Sequence, residues 1–305
     1  MSDRTGGAVG PTHGELPMQF LGEENPGVAP ERARFHVIPA PIERTVSYGG
    51  GTARGPEAIL VASEQMELFD GMDVPLDRGI FTWPPVPVEG DTQTVFAALQ
   101  EAVARALRLG EMVPVVLGGE HAITLPCVRA VLEVLDAPIG IVQFDAHGDL
   151  RDRYHDDPYS HASVMRRCLD LGVPIHSVGV RALSPDDLQI RRERPDMVSF
   201  QDAIDVVPSG VSAVTLPDDF PELVYLTFDV DGLDPSVISA TGTPEPGGLG
   251  WYQALSMVAS VAAQRRIVAF DVVELAPISG RHADDFAAAR LVYQIMGIIA
   301  RSRGW

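Results

Sequence analysis

The sequence has little cysteine. Only Cys127 and Cys168 occur in 305 residues, and they do not form a CxxC pair. That argues against a disulfide framework and fits two buried structural thiols in a reducing cytoplasm. Long apolar runs are also missing: none approaches the roughly 18 residues that a membrane span requires, so no membrane partner is expected. The first thirty residues lack the apolar core of a secretory leader. They are polar and rich in Gly and Pro, and read as an N-terminal arm (1–30), ordered or a floppy tail, on a single domain spanning 1–305. Positive charge is scarce, with 23 Lys and Arg against 42 Asp and Glu and a formal charge of −19. A surface that acidic repels phosphate backbones, so nucleic acid is not an expected partner. It is compatible with a small cationic substrate, although solubility is the commoner reason for such a charge, and part of the excess fits a site where bound cations neutralise it. There is no internal repeat and no linker of domain-boundary quality. The Pro-rich piece Trp83–Gly90 is too short and reads as a surface connection.

What is present is a recurring series of short apolar, β-branched runs: Phe35–Ile38, Val113–Leu117, Gly140–Phe144, Ile175–Val180, Leu223–Phe228 and Ile267–Val273. They are continuous rather than alternating, as strands of a parallel sheet covered on both faces are. Helix-period stretches lie between them at Thr94–Leu109, Leu125–Leu135, Tyr252–Ala263 and Asp285–Ala300, the last with an Asp pair at its start placed to cap it. Strands alternating with helices predict a layered α/β fold with a mostly parallel central sheet.

In open α/β sheets ligands bind beyond the carboxyl ends of the strands, and four of these runs exit into unusual residues, Ile267–Val273 into Glu274 and three others into clusters. One ends in Asp145, Ala146, His147, Gly148 and Asp149; in extended chain the first, third and fifth point to one side. Another ends in Asp229, Val230 and Asp231, again two acids on one side. A third ends in Gly118, Gly119, Glu120 and His121, where the glycines permit a tight turn that brings His121 to the sheet's mouth. A lone Asp after a strand is ordinarily a turn or cap residue, and a lone His is ordinarily structural. Four carboxylates and two imidazoles at one sheet edge are different. The carboxylates would repel one another at heavy desolvation cost unless cations lay among them, and two divalent cations match four aspartates in charge. The set has no thiolate, which argues against a structural zinc site; oxygen-rich ligation with some nitrogen suits Mn²⁺, with Co²⁺, Ni²⁺ or Zn²⁺ as substitutes. Two such ions about 3.5–4 Å apart can share a water and lower its pKa toward neutrality.

These segments together resemble the ureohydrolase family, which includes arginase and agmatinase. The matching motifs are Gly118–His121 (GGEH), Asp145–Asp149 (DAHGD), Asp229–Ser236 (DVDGLDPS), Thr241–Gly248 (TGTPEPGG) and Asp271–Pro277 (DVVELAP). Gly50–Ile59 (GGTARGPEAI) resembles the family's N-terminal region, so the matches run in order from about residue 35 to the C-terminus. The resemblance implies a three-layer arginase-like fold, two Mn²⁺ per chain, and hydrolysis of a guanidinium to urea and an amine. It implies His121, Asp145, Asp149 and Asp229 as ligands of one metal and Asp145, His147, Asp229 and Asp231 as ligands of the other. Asp149 is counted with His161 and Glu274 as catalytic. Glu274 would accept a forked pair of N–H bonds from the guanidinium, and His161 would relay a proton to the departing amine. Without the other motifs Glu274 would read as a solvated strand-end acid and His161 as a helix-entry residue. Gly148 departs from the family pattern, where Thr, Ser or Ala is usual; altered flexibility is expected there, with the metal retained. A homo-oligomer, trimer or hexamer, is a further implication.

Asp234 before Pro235 reads as a turn residue, and Thr243 as part of a shaped loop that could touch substrate. His13, His36, His155, His176 and His282 have no ligand spacing. The loop from Leu150 to Ser160 lacks the Asn and Ser signature by which arginase holds an amino-acid head, so the chain looks more like agmatinase. Agmatine, with its bare ammonium tail, is the expected substrate. Arg151 and Arg153 could grip a carboxylate, keeping arginine or a guanidino acid such as guanidinobutyrate open, but pairing with Asp152, Asp156 or Asp157 is the plainer expectation. Two rivals are considered. A single-metal deacetylase of the same broad fold would not need Asp149 and His121. A catalytically silent metal-binding assembly subunit would be expected to have lost some of these residues, and none is missing.

Overall fold

The computed structural model describes residues 18–305. Its strands are β1 (Phe35–Ala40), β2 (Ile80–Thr82), β3 (Val113–Gly118), β4 (Ile139–Phe144), β5 (Ile175–Val178), β6 (Val198–Gln201), β7 (Leu223–Asp229) and β8 (Arg266–Val273). They form one sheet in the order β2-β1-β3-β8-β7-β4-β5-β6, and every neighbouring pair is parallel. Every residue of β1, β3 and β4 is buried, which is why these strands read as unbroken apolar runs. All six runs anticipated from sequence are strands. The two that were not, β2 and β6, lie at the sheet's edges and are only partly buried, so burial imposed no continuous apolar pattern on them. β5 stops two residues earlier than expected because Gly179 turns the chain at φ 86°.

The helices are α1 (Gly55–Ser63), α2 (Thr92–Leu107), α3 (Thr124–Leu135), α4 (Val164–Asp170), α5 (Pro185–Glu193), α6 (Ala203–Ser209), α7 (Trp251–Gln264) and α8 (His282–Ser302). Helices α1, α7 and α8 pack on one face of the sheet, with Ile59, Met257 and Val292 in that core. Helices α2, α3 and α4 cover the other, with Leu99, Val128 and Met165 in a second core. The result is the three-layer arrangement expected. The four helices not anticipated (α1, α4, α5 and α6) have only seven to nine residues each, too short for a clear 3.6-residue period. Helix α8 corrects another expectation. It starts at His282, before the Asp pair, and neither aspartate caps it. Asp284 is turned away and accepts from the backbone N–H groups of Ser239 and Ala240 at 2.5 and 3.1 Å, pinning the loop beyond β7 to the helix.

Of the expected N-terminal arm, residues 1–17, including His13, lie outside the described residues. From residue 18 the chain packs on the body: Phe20 and Leu21 are buried, and Asn25 donates to the carbonyls of Phe20 and Ile80. Both cysteines are free and buried, as expected. Among the described residues no helix is long and apolar enough to cross a membrane.

The packing places the strand ends that matter side by side. β3, β8, β7 and β4 are consecutive in the sheet. The last residue of β4, Phe144, pairs in register with Phe228 of β7, and their rings stack at 5.0 Å. Asp145 and Asp229 follow immediately. Truncating either ring to Ala should cost about 3–5 kcal/mol and loosen both turns.

Candidate metal centre

The carboxyl ends of β3, β4 and β7 bring together all six residues expected to ligate metal. His121 Nδ1 lies 3.1 Å from Asp145 Oδ2, 3.1 Å from Asp149 Oδ2 and 3.4 Å from Asp229 Oδ2. His147 Nδ1 lies 3.0 Å from Asp231 Oδ2 and 3.5 Å from Asp145 Oδ1. Two groups result, His121 with Asp145 and Asp229, and His147 with Asp145 and Asp231. Asp145 stands in both.

Backbone donors fix how each acid is presented. Asp229 Oδ1 accepts from Asp231 N at 2.9 Å and Asp231 Oδ1 from Ala146 N at 3.0 Å, which leaves each residue's Oδ2 facing an imidazole. Asp145 is held by Gln143 Nε2 at 2.8 Å and by His147 N at 2.6 Å. The expected i, i+2, i+4 convergence is reached by a different backbone. Asp149 sits in left-handed conformation at φ 52°, so the chain past His147 is not a simple extended strand. Glu274, at φ 65°, is also in a conformation that side-chain-bearing residues seldom adopt. Such strain persists only where surrounding structure imposes it.

Electrostatics distinguish this cluster from ordinary strand ends. Burial and the Asp145 charge push Asp149 up to about 6. Burial, then Asp231 and Asp145, hold Asp229 well above the carboxylate range. Burial works to lower His147, but Asp145 and Asp231 outweigh it and take the ring up to about 12. Among the described residues, His121 and His147 are the basic side chains that these carboxylates meet. His121 shows what is missing. Thr227 Oγ1 and Thr124 Oγ1 donate to Asp271 at 2.6 and 2.7 Å, so at 2.8 Å Thr227 Oγ1 accepts from His121 Nε2. That orients Nδ1 at three carboxylate oxygens 3.1–3.4 Å away, where it is buried and, among the described residues, aligned for a hydrogen bond with none of them. A divalent cation fits there: the donors are carboxylate oxygens and imidazole nitrogens without thiolate, and a hydroxyl-linked carboxylate behind a ligating histidine is the usual support.

The cluster forms the floor of a cavity of about 350 Å³ that His161, Glu274, Arg151, Tyr154, Thr243, Glu245 and Tyr48 also line. Glu274 is buried, and its Oε1 accepts from His121 N at 2.6 Å. Among the described residues no protein donor reaches its Oε2. Burial, foremost, raises Glu274 to about 8, the state of a carboxylate lacking a cationic partner. His161 does begin a short helical turn, Ser160 capping it, yet its ring also faces the cavity. Thr45 Oγ1 accepts from His161 N at 3.0 Å and meets Nδ1 at 3.1 Å. Burial, then repulsion from His121 and His147, lowers the ring to about 4.

Several lesser expectations are met and two are revised. Asp234 accepts from the N–H groups of Ser236, Gly247 and Gly248, a loop-holding role. His36 and His176 are bonded away from the cluster, to Pro30 and Trp83 and to Ser199 and Gln201. Arg153 lies 3.5 Å from Asp152, but Arg151 makes no such pair among the described residues; its guanidinium lies 5.4 Å from the Tyr154 ring centroid, facing the cavity. At Gly148 space is the issue, not flexibility. A Cβ there would come within 2.8 Å of Asp187, whose carboxylate accepts from Leu150 N and Ser184 N.

Sequence reasoning missed Thr45, Thr227, Arg181 and Asp187. Thr227 had a signal: it breaks the apolar run of β7 two residues before Asp229, on the same strand face. Asp271, its register partner on β8, was inside a quoted motif but was assigned no role. Thr45 and His161 are 116 residues apart, and no local pattern links them.

The model of the Arginase family matches residues 33–297. N(1)-aminopropylagmatine ureohydrolase of Synechocystis sp. is 35% identical over 301 residues, covering 94% of this chain and 95% of that protein. Agmatinase of Pyrococcus horikoshii is 30% identical, covering 91% and 96%. The crystal structure of agmatine ureohydrolase from Thermoplasma volcanium superposes with a TM-score of 0.76 at 29% identity, covering 91% of this chain and 93% of that one.

Proposed function

The chain belongs to the arginase family, and on that premise we propose that it releases urea from a linear guanidino amine, with agmatine the substrate read from the sequence and putrescine the amine left. The observation that carries this is a single cavity lined by both the buried carboxylate and imidazole cluster and Glu274. His121, Asp145, Asp149, Asp229, His147 and Asp231 would hold two divalent cations, Mn²⁺ being the ion their donors suit. When bound, such a pair supplies a nucleophile from water near neutral pH.

The remaining work falls to the protein's own side chains. Glu274, desolvated and unpaired at Oε2, accepts N–H groups of the planar guanidinium and orients its carbon toward the cluster. Asp149 lines the cavity beside His121 and is placed to accept a proton from the attacking water. His161, held by Thr45, faces the same space and relays to the departing amine the proton that Asp149 takes from the water, as the C–N bond breaks. The cluster sits at and just past the ends of β3, β4 and β7, and Glu274 just past β8, so its geometry is anchored to the edge of the sheet.

A second reading lengthens the tail. Four relatives at 33–36% identity carry the name N(1)-aminopropylagmatine ureohydrolase, whereas the agmatinases of Pyrococcus horikoshii, Bacillus anthracis and Bacillus cereus are at 28–30%. The cavity is open at Tyr48, which is 87% exposed, and this leaves room for a longer polyamine chain. Urea release with Mn²⁺ supplied, compared across agmatine, N(1)-aminopropylagmatine, arginine and guanidinobutyrate, tests both. Turnover of the two amines above the two acids is the expected result. No urea from any of the four would reject the proposal, and bound metal without turnover would favour a silent subunit.

A further inference from the structure

The chain has no lysine, so all 23 of its strong cations are arginines. Many make surface ion pairs, such as Arg108 with Glu101 and Arg167 with Asp152. Arg181 is different. Half-buried just beyond β5, among the described residues it pairs with no carboxylate, and its guanidinium is spent on main-chain carbonyls. Nη2 donates to Asp231 O at 2.7 Å, Glu245 O at 2.7 Å and Leu233 O at 3.2 Å. Nη1 donates to Gly179 O at 3.0 Å, and Nε to Pro246 O at 3.1 Å and Glu245 O at 3.3 Å. Its own backbone N–H, with that of Ala182, donates to Ala146 O at 2.9 Å.

These bonds select one part of the cluster. Ala146 lies between Asp145 and His147, and the third member of that group is Asp231. Arg181 therefore grips both turns that present this group, its main chain on one and its side chain on the other. His121, Asp149 and Asp229 receive no bond from it. The same guanidinium holds the 245–246 loop, which lines the cavity through Glu245.

We propose that Arg181 is a positioning residue for the Asp145, His147 and Asp231 group, and that it couples this group to the cavity wall bearing Glu245. The planar fork matters. Five N–H donors in fixed directions reach three chain segments at once, which the three donors of an ammonium on a flexible stem cannot do. A buried cation is also costly to retain without a carboxylate. Desolvation lowers the Arg181 pKa, while Asp231 and Asp145 act to raise it, so the field of the acidic cluster helps hold the charge in place.

The proposal rests on the two-metal reading above, and Arg181→Met and Arg181→Lys separate the two. Each purified protein is stripped of metal, checked by thermal melting, and titrated with Mn²⁺ while affinity and the spin-coupled signal of a metal pair are followed. Wild type should take up two ions and show coupling. In Arg181→Met one ion should bind about 10–100-fold more weakly, with a mononuclear signal at intermediate Mn²⁺ and a raised KM for agmatine. Arg181→Lys should fall between. Two unchanged affinities, or two lowered equally, would overturn the proposal, as would an Arg181→Lys protein that cannot fold, since that points to a plain folding role. A wild type that fails to bind two ions would sink the two-metal reading instead.

Discussion

The inner and outer ends of the cavity are made of different materials. At the inner end Asp145 is 0% exposed and Asp231 3%, both set by backbone donors at the ends of central strands. At the outer end Tyr48 is 87% exposed, and the wall is drawn from four separate loops around residues 46–49, 151–154, 182–187 and 242–245. Charge is handled differently as well. Inside, carboxylates outnumber imidazoles and are desolvated; outside, Glu245 and Arg151 bring one charge of each sign to a wetter rim. The inner end must satisfy a demanding chemical constraint, so few residue types can occupy it. The outer end need only suit a substrate's tail, which many loop sequences can do.

The contrast can be broken most severely at Asp229. Asp229→Asn removes an anion from the inner cluster, so metal content and urea release should fall together; a variant that keeps both ions would refute the ligand assignment. The same change relieves repulsion with Asp145 and Asp231. Metal-free Asp229→Asn should therefore melt at or above metal-free wild type, while losing the stabilisation that Mn²⁺ gives. His161→Ala comes next. Both ions should remain, with turnover slowed about 10²–10⁴-fold, measured as kcat at full metal loading. An unchanged rate would return His161 to its role at the head of a helical turn. A smaller effect belongs to the rim. Glu245→Gln should raise KM for agmatine by about 5-fold, the scale of an exposed charge contact of about 1 kcal/mol, and leave kcat alone. A fall in kcat instead would mean that Glu245 acts on the reacting end.

The same contrast explains what could be read from the sequence. Strands β1, β3, β4, β5, β7 and β8 were legible because burial on both faces forces continuous apolar runs, and residues that interrupt the exits stand out against them. The six candidate ligands were visible for that reason, since each follows an apolar run within a few positions. β2 and β6 were not legible, because edges are half-buried and impose no pattern. Thr45, which holds His161, and Arg181, which ties three segments, were invisible for another reason. Their significance lies in contacts across long stretches of chain, and one sequence contains no local trace of such pairing. Asp284 was misread because an Asp at a helix start suits two partners equally, and tertiary structure chose the loop at Ser239.

The tail remains the sharpest place to test the outer end, through Arg151. Pairing with a neighbouring aspartate would have made it a surface residue, but Arg153 has that role beside Asp152, and Arg151 faces the cavity over Tyr154. The sign of its effect depends on the substrate. Against an ammonium tail its charge is repulsive, so Arg151→Ala should leave kcat unchanged and lower KM for agmatine by about 2–5-fold, again the scale of one exposed charge contact. Against a carboxylate tail the charge is attractive, and the same variant should raise KM for guanidinobutyrate. Arg153→Ala is the control: a solvated surface pair contributes within about 0.5 kcal/mol, and neither KM should move. If Arg151→Ala weakens agmatine as Glu245→Gln does, then the two rim charges do not read the tail's sign but shape the loops that surround it, and the outer end is a matter of fit rather than electrostatics.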